Sequence, residues 1–116
     1  MPKYLAQDVH QNAAFAFDFA VEDIPGQPRD ITSDTLSGGI AYAQGQAVVA
    51  AFTFTKTTPE AGEATASCTA AATDGLTPDE LFKALPNAVY DIFLTTSGGT
   101  KYRLYYGDVS IYPKVA

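Results

Sequence analysis

The chain has no tryptophan, one cysteine and one histidine among its 116 residues, and only 7 lysines and arginines against 13 acids. Each scarcity excludes something. The lone Cys68 cannot form an intrachain disulfide, which fits folding in a reducing cytosol. A zinc site needs several converging ligands, and His10 and Cys68 lie far apart in sequence, so His10 reads as a surface histidine. With a net charge of -6, the chain cannot neutralise phosphate backbones or anionic lipid surfaces, and neither nucleic acid nor a membrane is expected as a partner. The start, Met1-Pro2-Lys3-Tyr4, lacks the apolar core of a signal peptide. No apolar run reaches membrane-spanning length.

What the sequence has is alternation. Nearly half of it, 47%, is hydrophobic, which argues against disorder, and its length fits one domain over residues 1–116. Phe15, Phe17, Phe19 and Val21 share one face of a strand, with Ala14, Ala16, Asp18 and Ala20 on the other. Prolines and glycine break the pattern across residues 24–28. Ile31, Leu36, Ile40 and Tyr42 trace a weaker strand region that ends near Gln44-Gly45. Val48, Ala50, Phe52 and Phe54 alternate cleanly. After the loop over residues 57–62, Ala64, Ala66, Cys68, Ala70 and Ala72 interleave with Thr and Ser. That spacing predicts a strand over residues 63–73 whose small inward side chains let two layers approach. A short helix is expected over residues 78–85: Thr77 caps it, Pro78 takes its first position, Glu80 follows three residues after the cap, and Pro86 stops it.

The last third reads as a hairpin. Tyr90, Ile92 and Leu94 alternate, residues 97–100 turn, and Tyr102, Leu104 and Tyr106 alternate again. Cross-strand partners point the same way, so Leu94 should oppose Leu104 and Ile92 should oppose Tyr106. That register requires a three-residue loop, Gly98-Gly99-Thr100, with a glycine in the left-handed region. Beyond Gly107 the apolar phase shifts to Val109 and Ile111, which suggests a β-bulge at Gly107.

No catalytic constellation is visible, and no cofactor or metal is implied. Cys68 alternates with alanines, as a buried core residue does. The acids Asp18, Glu22, Asp23, Asp30, Asp34, Asp74, Asp79, Glu80, Asp91 and Asp108 match no calcium-loop pattern, and Asp79 and Glu80 suit a helix N-terminus. Gly38-Gly39 and Gly98-Gly99 match no phosphate loop and read as turns or bulges. Tyr102, Tyr105, Tyr106 and Tyr112 crowd the last strand. Tyrosine suits half-buried strands, but it is also enriched at protein interfaces, which makes these four the candidate contact residues.

The run from Asn87 to Pro113, with its Tyr90-Asp91-Ile92-Phe93-Leu94 strand, glycine turn and Gly107-Asp108-Val109-Ser110-Ile111 strand, resembles the immunoglobulin-like domains of tailed-phage baseplate and tail-fibre proteins. The strand from Ala14 to Ala20, the Pro28-Arg29-Asp30-Ile31-Thr32 connection and Phe52-Thr53-Phe54-Thr55 are similar to the same architecture. The resemblance implies an all-β, immunoglobulin-like antiparallel sandwich with one short helix. It also implies a structural role in a phage virion, in the tail, baseplate or fibre attachment. The partners would be other virion proteins in a symmetric assembly, and the protein would be made in the host cytoplasm. Capsid decoration and a carbohydrate-binding module are the alternatives. Aromatics gathered on one sheet face would favour sugar; tyrosines dispersed along edges would favour assembly.

Overall fold

The computed structural model describes residues 3–24, 26–74 and 87–112. The helix expected over residues 78–85 lies outside them. The strands are β1 (Lys3–Tyr4), β2 (Gln7–His10), β3 (Phe15–Ala20), β4 (Glu22–Ile24), β5 (Gln27–Pro28), β6 (Thr35–Ala41), β7 (Ala50–Ala51), β8 (Thr53–Thr58), β9 (Glu63–Cys68), β10 (Ala88–Thr95) and β11 (Lys101–Tyr112), with a helix α1 (Ala70–Asp74) between β9 and β10.

Two sheets face each other. The larger, six-stranded one runs β1-β11-β10-β6-β7, with β2 also on β11; the smaller is β3-β9-β8. Within the larger sheet the pairs β11–β10, β10–β6 and β6–β7 are antiparallel, while β1 and β2 lie parallel to β11. The expected sandwich is present, with this parallel edge added.

The alanine stripe has a direct explanation. Phe15, Phe17 and Phe19 of β3 stand opposite Cys68, Ala66 and Ala64 of β9. Large side chains on one strand face small ones on the next, so the rings have room and the core stays close-packed. Aromatic contacts then join the sheets. Phe17 meets Tyr90 at 6.2 Å and Tyr105 at 5.7 Å between ring centroids, Phe19 meets Tyr105 at 5.5 Å, and Phe52 meets Tyr90 at 6.2 Å, all edge to face. Such pairs contribute roughly 0.5–1.5 kcal/mol each beyond the area they bury.

Three elements depart from the sequence reading. The strand expected through Thr73 ends at Cys68, and Ala70–Asp74 turns into α1. Thr69 caps it, its hydroxyl accepting the Ala72 N–H at 3.2 Å, so the helix preference of consecutive alanines wins once a cap is supplied. The alternation from Val48 to Phe54 is divided. Ala50 pairs with Ile40 in the larger sheet, whereas Thr53 pairs with Ser67 in the smaller. The chain changes sheets at Phe52, which leaves Val48 53% exposed instead of buried. Gly38-Gly39 is no turn but the middle of β6; a side chain at Gly38 would strike the Asp91 carbonyl, and one at Gly39 would strike Val48.

The final hairpin also differs. Its loop has three residues, but they are Ser97-Gly98-Gly99, closed by Thr96 N–H to Thr100 O at 2.8 Å and by Thr100 N–H to Thr96 Oγ1 at 3.1 Å. Gly99 takes the left-handed conformation at φ 91°. Leu94 therefore opposes Tyr102, not Leu104, and Ile92 opposes Tyr105, not Tyr106. The bulge lies between the Phe93–Arg103 and Ile92–Tyr105 pairs, with Leu104 as the extra residue, and not at Gly107. The threonine-closed turn fixes one register near the loop, and the bulge restores the inward phase for Tyr105, Val109 and Ile111.

Candidate functional site

The outer face of the larger sheet carries the most chemistry. β10 and β11 place Asp91, Phe93, Arg103, Tyr106 and Asp108 outward, because Tyr90, Ile92, Leu94, Tyr105, Val109 and Ile111 fill the core side of the same strands. β1 adds Tyr4 through its register with Tyr106. The Tyr4 hydroxyl donates to Asp108 Oδ2 at 2.7 Å, and its ring meets Tyr106 edge to face at 5.5 Å. The hydrogen bond to Asp108, with smaller help from desolvation, raises the Tyr4 phenol above its ordinary value. The Arg103 guanidinium lies 4.8 Å from the centre of the Tyr106 ring and 3.7 Å from Asp91 Oδ2. Further toward the hairpin, Lys101 sits 4.5 Å over Phe93. Cations on aromatic faces alternate along this stripe.

Beside the stripe is a depression of ≈ 240 Å³. Small residues make it: Gly39 and Ala41 of β6 form part of its floor, and Gln44, Gln46 and Val48 stand on its rim. The lining mixes carboxylate, guanidinium, amide and phenol groups. Such a surface can hold a ligand by hydrogen bonds and aromatic contact. Among the described residues no group of three or more His, Cys, Asp or Glu is placed to hold a metal.

The candidate tyrosines separate. Tyr106 belongs to this face. Tyr102, 55% exposed, lies near the hairpin end of β11, and Tyr112, 38% exposed, stacks on His10 at 5.1 Å at the other end. Tyr105 is turned inward by the Leu104 bulge; it is buried, and its hydroxyl donates to Ala20 O at 3.0 Å. It offers nothing to a partner. Tyr4 was not among the candidates, since a two-residue strand paired in parallel across a hundred residues leaves no local pattern. Cys68 is buried as expected, with its thiol toward Ala51 O at 3.6 Å, and burial pushes its pKa up.

No family model and no curated protein matches the chain. Among solved structures, a chain of the crystal structure of ICOS in complex with ICOS-L and an anti ICOS-L VNAR domain is similar, with a TM-score of 0.50 at 9% identity over 97% of this chain. The fold is an immunoglobulin-like β-sandwich. The alignment spans 56% of the similar chain, about half its length. Antibody domains tie their sheets with a disulfide and a buried tryptophan. This immunoglobulin-like chain has one cysteine and no tryptophan, and the Phe17–Tyr90 and Phe17–Tyr105 contacts join its layers instead. Among the described residues no helix is long and apolar enough to cross a membrane.

Proposed function

We propose that the protein is a structural component of a phage virion, in the tail, baseplate or fibre attachment, and that it binds a neighbouring virion protein through the outer face of its larger sheet. The observation that carries this reading is the stripe of Tyr4, Tyr106, Arg103 and Asp91 beside a depression floored by small residues. Aromatic and arginine side chains anchored by partners of their own are the groups that dominate protein contacts. The likeness of the C-terminal hairpin to phage immunoglobulin-like domains supplies the virion setting.

A carbohydrate-binding role is favoured by one feature, two tyrosines on one sheet face. It is weakened by their surroundings: Arg103 lies over the Tyr106 ring and Tyr4 meets the same ring edge to face. A sugar needs an unobstructed aromatic face, while a protein partner can reorder these side chains at its interface.

The test is incorporation. Particles assembled with the Arg103→Glu and Tyr106→Ala variants should contain at least about tenfold less of the protein than wild-type particles, as expected for losing an interface anchor. Equal incorporation of both variants contradicts the proposal.

A further inference from the structure

The smaller sheet ends on one side at β3, which pairs with β9 and, among the described residues, with no other strand. Val21 N–H donates to Gly62 O at 2.9 Å, and this sets the phase of the ladder. The N–H and C=O of Phe15, Phe17 and Phe19 turn toward β9, while those of Ala16, Asp18 and Ala20 face away. The Ala20 carbonyl is taken by Tyr105; those of Ala16 and Asp18 face outward from the sheet.

The edge also opens the core. Phe15 and Phe19 are buried, but Phe17 between them is only half-buried. Open edges are usually blunted by lysine, proline, a bulge or shortness. β7 is two residues long, β8 carries Lys56 and a register shift, and the N-terminal edge breaks at Leu5-Ala6. β3 is six regular residues with none of these.

We propose that β3 pairs antiparallel with β3 of a second copy, about a two-fold axis that sets Phe17 opposite Phe17 of the partner subunit. The charges and the free backbone groups choose this register. Centring on Asp18 would set two carboxylates directly opposite each other. Centring on Phe19 would need the Ala20 carbonyl that Tyr105 already occupies. Centring on Phe17 uses the outward groups of Ala16 and Asp18, places each Asp18 against an alanine, and closes the two half-exposed phenylalanine rings over each other. The two small sheets become one continuous sheet, through a self-complementary contact of the kind a two-fold axis requires. This pairing stands apart from the virion role, which uses the opposite sheet.

Sedimentation velocity on the full chain, from about 1 to 500 μM, is the test, because an interface this small associates weakly. A monomer–dimer equilibrium is expected. Ala16→Pro should give a monomer with its fold intact, since the Ala16 N–H points away from β9 and its loss costs the internal ladder nothing. Residue 16 faces Asp18 of the partner subunit twice per dimer. Ala16→Lys should therefore tighten the dimer about fivefold and Ala16→Asp weaken it about fivefold. If Ala16→Pro unfolds, as circular dichroism would reveal, the opposed shifts of the lysine and aspartate variants still decide. A monomer throughout the range, a dimer indifferent to proline, or lysine and aspartate acting alike overturns the proposal.

Discussion

The Tyr90 hydroxyl, rising from the buried face of β10, donates to the Leu5 carbonyl at 2.6 Å. Leu5 is the break between β1 and β2, where the N-terminal strand would otherwise leave β11. Gly107 makes the contact possible: a side chain there would strike the Leu5 carbonyl and crowd the Tyr90 ring. One phenol in the core thus holds the strand that brings Tyr4 to the outer face.

Tyr90→Phe removes that bond and leaves the partly buried Leu5 carbonyl without its phenol donor. The expected loss is about 1–2 kcal/mol of unfolding free energy, read from urea denaturation. Amide exchange should quicken in β1 and β2 while β10 stays protected.

Alkaline pH should act on the same bond. Burial, with lesser contributions from nearby Tyr105 and Tyr4 and an opposing hydrogen bond from Gln7, raises the Tyr90 phenol above its ordinary 10.0. A folded-state value above the unfolded one means that this contribution is complete below pH 10 and fades as pH rises through the folded value. The difference in phenolate absorbance between wild type and Tyr90→Phe should show Tyr90 titrating above pH 10, and the denaturation midpoint of wild type should fall over that interval more than that of Tyr90→Phe.

Asn87 closes the other end of β10. Its buried side-chain amide donates to Ile111 O at 3.1 Å and its side-chain carbonyl accepts the Ile111 N–H at 2.9 Å, extending the β10–β11 pairing by one side-chain rung. Asn87→Ala orphans both Ile111 groups and should cost about 2–3 kcal/mol. Asn87→Asp keeps the acceptor but, when ionised, loses the donor and buries a charge, so at pH 7 it should be no better tolerated than Asn87→Ala; as pH falls and the carboxyl protonates, the donor returns and the loss should shrink. Thermal unfolding of the three proteins checks the order.

Where one face of a strand was apolar and its neighbour was fixed by the same residues, the sequence was legible. The Phe15-Phe17-Phe19 alternation, the Ala64-Ala66-Cys68 stripe and the Tyr90-Ile92-Leu94 strand all stand as read. Errors arose where a side chain, not the periodicity, made the decision. Thr69 caps a helix inside an alternating run, and Thr96 and Thr100 close a turn one residue earlier than the glycines suggest. The Leu104 bulge then reassigns Tyr105 from the surface to the core. Tyr4 was out of reach of local reasoning, because its place depends on a parallel pairing with Tyr106.

Cross-linking mass spectrometry of purified particles tests the central claim most directly, since Lys101 sits on the proposed contact stripe over Phe93 while Lys56 binds the Thr32 and Asp34 carbonyls within this chain. The protein should be recovered from the particles with cross-links from Lys101 to another virion protein, and with the Tyr106 face protected from labelling relative to the free protein. Absence from the particles, or a Lys101 that stays uncross-linked and fully labelled within them, contradicts the account.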